Sequence, residues 1–146
     1  MKLGILSIVL CAAFLQGCIL SPSINSIQKA GLTESGRKDT LNDAVKEFQT
    51  ALFWENFPKA QGYASELNGQ DVMAQLKQKR NEGRLVDSKV ENVTFTDDAY
   101  KAKVDVSVRV KDDATNIVNS KNEEQSWIFS VYDGWKIDSI AKKIES

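Results

Sequence analysis

The chain has 146 residues, 19 of them basic and 20 acidic, for a formal net charge of −1. That length holds one domain and a targeting segment but not a second core, and the charge balance excludes a broad positive field for nucleic acid. His is absent, which removes the commonest general base and metal ligand, so no metal or cofactor is expected and any catalysis would fall to carboxylates, Lys, Tyr or Ser.

Met1-Lys2 is a short positive start, and Leu3 to Phe14 is an apolar run of the length found in secretory signals. Leu15-Gln16-Gly17-Cys18 follows. This tetrapeptide resembles the lipobox of bacterial lipoproteins, in which the cysteine receives a diacylglyceryl group and a peptidase cuts just before it; Gln16 departs from the small residue usual there. The resemblance implies that residues 1–17 are removed and that acyl chains on Cys18 hold the chain to a membrane. Two or three chains make such attachment stable where one does not. Leu3 to Leu20 also approaches the roughly 20 residues of a spanning helix, but Gln16 and the two glycines argue against that. Ile19, where an Asp would resemble an inner-membrane retention signal, favours an outer-membrane anchor facing the periplasm. Cys11 would leave with the signal, so no disulfide is expected.

Residues 18–38 read as the lipidated cysteine and a flexible tether rich in Ser, Asn and Gly, and residues 39–146 as a single domain. A first helix is expected from Asp39 or Thr40, where Thr40-Leu41-Asn42-Asp43 approximates a capping box. Leu41, Ala44, Val45, Phe48, Ala51 and Leu52 form its apolar stripe. Asn56-Phe57-Pro58 breaks it. A second short helix should carry Ala60, Tyr63, Ala64 and Leu67 as far as Asn68-Gly69, and a third, capped by Asp71, should turn Val72, Met73 and Leu76 inward and stop at Gly83.

Beyond Gly83 the apolar period changes from about 3.6 to 2. Leu85 to Phe95 is a strand whose alternation slips between Val90 and Val93, as a bulge would cause. Tyr100, Ala102, Val104, Val106, Val108 and Val110 alternate with Lys101, Lys103, Asp105, Ser107, Arg109 and Lys111, a strand with one dry and one wet face. A third strand from about Asn119 to Tyr132 should bring Trp127, Phe129 and Val131 inward. Asp133-Gly134 signals a two-residue hairpin, and Trp135, Ile137 and Ile140 belong to a final strand. Three helices followed by a meander of about four antiparallel strands make an α+β domain.

The first two helices, and Ser126-Trp127-Ile128-Phe129 followed by Asp133-Gly134-Trp135-Lys136-Ile137, resemble the nuclear transport factor 2-like superfamily. The resemblance covers roughly Asp39 to Ile140. It implies a cone-shaped domain in which a curved sheet wraps a helix around an apolar cavity, used by different members for small molecules, for pairing or for catalysis. Phe48, Leu52, Tyr63, Tyr100, Trp127 and Trp135 are the candidate lining, against the simpler alternative of ordinary core packing.

An isomerase- or dehydratase-like acid–base enzyme in this fold would need a carboxylate in the cavity, and the dry face of the best strand offers none. Asp87, Glu91 and Asp138 sit on strands whose facing the pattern does not fix. Asp97-Asp98 and Asp112-Asp113 read as turn residues rather than a calcium loop, and Lys77-Gln78-Lys79-Arg80 as a solvated helix end that complements the helix dipole. The expectation is therefore a membrane-anchored, non-enzymatic binding or accessory domain. Its partner would be an envelope protein, a second copy of the chain, or a small apolar ligand; the cofactor-free enzyme is the alternative.

Overall fold

The structure, a computed structural model, describes residues 31–143. The expected signal segment, Cys18 and most of the expected tether lie outside the described residues. Three helices, α1 (Glu34–Phe53), α2 (Phe57–Gln61) and α3 (Gly69–Glu82), precede four strands, β1 (Arg84–Thr96), β2 (Lys101–Lys111), β3 (Val118–Ser130) and β4 (Gly134–Lys142). Among the described residues no helix is long and apolar enough to cross a membrane.

Helix α1 starts at Glu34, ahead of the expected Asp39 or Thr40. The cap is Thr33, whose side-chain oxygen accepts the Gly36 N–H at 3.1 Å. Thr40, expected as the cap, instead donates its hydroxyl back to the Gly36 carbonyl at 2.9 Å, a mid-helix use of the same side chain. The extra turn buries Arg37, 5% exposed. Its guanidinium donates to the Asp98 carbonyl at 2.7 and 3.2 Å and to the carbonyls of Gly31 and Leu32, and it lies 4.0 Å from the centre of the Tyr100 ring.

At the far end of α1 the chain turns through Glu55, in the left-handed region, and Asn56 caps α2 by accepting the Lys59 N–H. The second helix is shorter than expected, because Tyr63 to Ser65 run extended beside β4. The Ile137 N–H donates to the Tyr63 carbonyl at 2.7 Å and the Ser65 N–H to the Ile137 carbonyl at 2.9 Å. This covers part of an edge that would otherwise be open to pairing. Leu67, expected inside, is exposed. In α3, Val72 and Leu76 are buried and Met73 packs against the core, while the cap position falls at Asn68 rather than Asp71.

The strands pair in sequence order, β1-β2-β3-β4, all antiparallel. The expected slip in β1 is a register shift between Val90 and Asn92, with a second between Leu85 and Asp87. A third shift falls opposite Ser126–Trp127. It makes Asp138 the extra residue of β4, so that both Ile137 and Ile140 point inward although three residues apart. The hairpin at Gly134 has a three-residue loop, Val131 to Asp133, closed by Gly134 at φ +69°, one residue longer than the Asp-Gly signal suggests. Val131 therefore falls on the loop and is exposed, not inward.

The cone implied by the nuclear transport factor 2-like resemblance is not formed. The sheet is an open meander, neither closed nor curled, because consecutive strands pair in sequence order and, among the described residues, no other strand pairs with the free edge of β1. One face of this sheet packs on the helices. Phe48 of α1 meets Trp127 of β3 edge-on at 5.7 Å between centroids, and Leu41, Val45, Val104 and Ile137 close around them.

Gly83 joins α3 to β1 at φ +123°, and a Cβ there would lie 2.2 Å from the Lys111 carbonyl oxygen. Gly83→Ala should therefore lower the urea midpoint, with backbone strain alone costing about 1–3 kcal/mol. A midpoint equal to wild type would show that this junction is not constrained.

Candidate binding groove

The six aromatic and aliphatic residues expected to line a cavity separate into three places. Phe48, Tyr63 and Trp127 form one cluster, with ring centroids 5.7–6.2 Å apart and all three contacts edge-on. Trp135 belongs to another, edge-on to Phe129 at 5.4 Å, and its indole N–H donates to the Arg37 carbonyl at 2.8 Å. Tyr100 lies beyond it, 39% exposed and 6.0 Å from Phe129. Leu52 is buried at the edge of a separate small depression beside Gly83 and Leu85.

Tyr63 donates its hydroxyl to Glu47 Oε2 at 2.9 Å, and Lys59 approaches the same oxygen at 3.2 Å. Burial, with the Glu47 carboxylate beside it, pushes the Tyr63 phenol up to about 12 from the usual 10.0, while the hydrogen bond from Tyr63 and the Lys59 charge hold Glu47 below the usual carboxylate value.

A groove of about 380 Å³ lies elsewhere, between α1 and the β1 side of the sheet, beside further depressions along β3. That is the lower part of the size range of small-molecule sites. Val45 and Phe53 are the apolar part of a helix wall that also carries Asn42, Lys46 and Thr50, and Val86, Val90, Val93 and Val104 the apolar part of a sheet wall that also carries Asp87 and Ser88. Val90 is paired with Val106 and so belongs to the helix-covered face, yet it is 43% exposed, because α1 does not reach across β1. Trp54, 69% exposed, stands at one end.

Gln49 lines the groove from α1 and is the polar residue that sequence reasoning missed. Its side chain is 7% exposed, and neither its oxygen nor its nitrogen has a hydrogen-bond partner. A buried amide left unpaired costs about 1–3 kcal/mol. The signal was its position four residues after Val45, on the stripe itself.

A second polar group on the dry face was also missed. Counting back by twos from Trp127 places Gln125, Glu123 and Lys121 on its side of β3, and both Glu123 and Gln125 are buried. Trp127 donates its indole N–H to Gln125 Oε1 at 3.2 Å. Lys79 of α3 pairs with Glu123 Oε1, leaving Oε2 without a partner, and Lys121 pairs with Glu82 at 2.5 Å. Of the basic run at 77–80, Lys79 thus joins helix to sheet.

The three acids whose facing was open are placed as follows. Asp87 is exposed and 3.9 Å from Arg109, Glu91 is exposed and 3.0 Å from Lys89, and Asp138 accepts from Ser65 and Asn68 at 2.8 and 2.9 Å. Asp138 thereby ties the segment before α3 to β4. Asp112 accepts the N–H groups of Ala114 and Thr115, which hold it below its usual value and close the β2–β3 turn. Among the described residues no cluster of His, Cys, Asp and Glu could hold a metal ion.

No family model matches the chain, and no curated protein matches it. Two solved structures are similar in fold. A SEC-C motif containing protein from Rhodopseudomonas palustris matches over 66% of this chain and 73% of its own, with a TM-score of 0.53 at 10% identity. The intermembrane space region of the chloroplast protein ARC6 matches over 73% of this chain and 96% of its own, with a TM-score of 0.48 at 15% identity. The first is a likeness of fold alone.

A raised phenol contributes stability that is complete below its ordinary value and is lost as pH climbs from 10.0 to about 12. Titration followed by phenolate absorbance should show one ionisation with a midpoint near 12, and Tyr63→Phe should remove it. Its survival in that variant would place the shifted group elsewhere.

Proposed function

We propose that the chain is a lipoprotein of the bacterial envelope, acylated on Cys18 and held at the outer membrane facing the periplasm. Its domain acts without chemistry of its own, binding an apolar small molecule or the apolar segment of a partner protein. The binding half rests on one observation: a groove walled by Val45, Phe53, Val86, Val90, Val93 and Val104 stays open on the helix side of the sheet. Its lining includes an amide, Gln49, that has no hydrogen-bond partner among the described residues.

Apolar walls supply the affinity, at roughly 25 cal/mol per Å² of apolar surface removed from water. An unpaired amide supplies direction, because only a ligand that offers it a donor or an acceptor relieves the cost of its burial. Gln49 offers both. The address half rests on Leu15-Gln16-Gly17-Cys18 at the end of an apolar run.

Cys18→Ala should move the protein from the membrane to the soluble fraction and make its processing insensitive to globomycin; unchanged membrane attachment would overturn the anchor. Native mass spectrometry of protein extracted from its own membranes should show a retained small molecule or a stoichiometric partner. Val90→Lys, which puts a charge into the groove, should abolish that species. Extraction of the bare chain alone, or a species indifferent to Val90→Lys, would overturn the groove as the binding site.

A further inference from the structure

We propose that the end of the domain at which the chain arrives, formed by Leu32 and the tips of the β1–β2 and β3–β4 hairpins, rests on the surface of the bilayer to which Cys18 is anchored. The inference rests on the anchor reading above, and concerns a surface separate from the groove.

Strand direction decides which parts share this end. In an antiparallel meander the first and third hairpins lie at one end and the second at the other, so Asp97–Tyr100 and Val131–Asp133 are neighbours, away from Asp112–Ile117. The Phe129 N–H donates to the Tyr100 carbonyl at 2.8 Å, joining the two hairpins. Arg37 fixes the arriving chain to the same place, since it binds the carbonyls of Gly31, Leu32 and Asp98 together. Gly31 itself lies against Phe129, so closely that a Cβ would meet the ring at 2.5 Å.

Four apolar or aromatic side chains stand out from this end: Leu32 (53% exposed), Tyr100 (39%), Val131 (55%) and Tyr132 (97%). A hairpin tip that spends Val and Tyr where Gly, Asn or Ser would serve exposes apolar surface that no other described residue covers. Tyr suits a water–bilayer boundary, with its ring among the upper acyl chains and its hydroxyl among the headgroups.

The length of chain outside the structure selects the occupant. Twelve residues, 19–30, separate Cys18 from Gly31, and they span at most about 43 Å when fully extended. The opposite turn lies a further strand length away, about 36 Å for the 11 residues of β2. The chain that leads to Cys18 joins the domain at the apolar end, so that end, and not the opposite turn, adjoins the point of attachment. The same tips carry Asp98 and Asp133, besides Asp97, which pairs with Lys101 at 3.5 Å, and the like-charge repulsion of those two acids makes a zwitterionic surface the preferred one over an anionic one.

The test uses the full chain, acylated and purified in detergent, with a single added cysteine at Asp133→Cys beside Tyr132, or at Ala114→Cys in the opposite turn. Each is spin-labelled and reconstituted into phosphatidylcholine vesicles. Flotation with the vesicles reports the anchor. The label at 133 should lose several-fold in collision rate with a water-soluble nickel chelate and gain in collision with oxygen, while the label at 114 should stay open to the chelate. Adding Tyr132→Ser, or anionic lipid to the vesicles, should restore access at 133. Vesicles that float with both labels equally open would overturn this surface and leave the anchor standing; protein that does not float would overturn the anchor and this inference with it.

Discussion

An open sheet of four strands has more area than its helices can cover, and the rest of the structure is arranged around that shortfall. Four strands at their usual spacing extend about 19 Å across, and strands of 11–13 residues run to roughly 36–43 Å. Helix α1, with 20 residues, is about 30 Å long, and α3, with 14, about 21 Å, each about 10 Å wide. The two can keep the central strands and part of β4 dry, and Val104, Val106, Trp127 and Ile137 are essentially inaccessible beneath them. Coverage gives out on β1, where Val90 is left half in water, and at the β2–β3 end, where Ile117 and Val118 stand exposed. A sheet that curled would have brought its edge strand back over the helix; an unclosed one leaves a groove.

Polar groups on the dry face follow from the same shortfall. At the end of β3 far from Trp127 the sheet is roofed by the later turns of α3, which carry Lys79 and Glu82, not apolar side chains. Glu123 and Lys121 beneath them complete two crossed pairs. A paired carboxylate there is tolerated, whereas an unpaired one would cost several kcal/mol. The pairs specify which way α3 lies on the strands more than they stabilise it. Gln49 differs in that both ends of its amide lack a partner among the described residues, where Glu123 and Gln125 each leave one atom unpaired.

Much of the sheet was legible because period-2 alternation is a strong signal when one face is wet. The alternation of Ala102, Val104, Val106, Val108 and Val110 with charged or polar neighbours marks β2, and the slip near Val90 marks the bulge in β1, whereas Tyr100, the first residue of the same pattern, falls in the turn. The helix start was less visible, because Ser35 and Gly36 look like tether residues until Arg37 is seen to be buried against the Asp98 carbonyl, 61 residues away. Likewise, Tyr63 to Leu67 continue an acceptable helical pattern, and only the hydrogen bonds offered by the edge of β4 pull Tyr63–Ser65 into extended form. Tertiary partners outweighed local propensity there. The buried Glu123 and Gln125 were within reach of the pattern, since they share Trp127's parity. They were passed over because polar residues on a strand suggest its wet side. The curled sheet came from a resemblance carried by helix corners and one hairpin, features that say nothing about whether the outer strands meet.

Arg37 turns these separate outcomes into a division of the molecule. A guanidinium buried without a carboxylate must be satisfied by carbonyl oxygens and an aromatic face, and those available come from the arriving chain, the β1–β2 turn and Tyr100. The Trp135 indole then closes on the Arg37 carbonyl, so the start of α1 is held to both hairpins at once. Force or position transmitted along the chain at Gly31 is therefore borne by the hairpin end of the sheet. The groove, bounded by the later turns of α1 and by β1 from Val86 to Val93, lies outside that knot. Its helix side is joined to β1 by contacts of its own, with Val45 and Val104 lining it, Arg84 3.7 Å from Glu55, and Lys38 over the Phe95 ring, so the groove is bounded independently of the Arg37 cluster that ties the chain down.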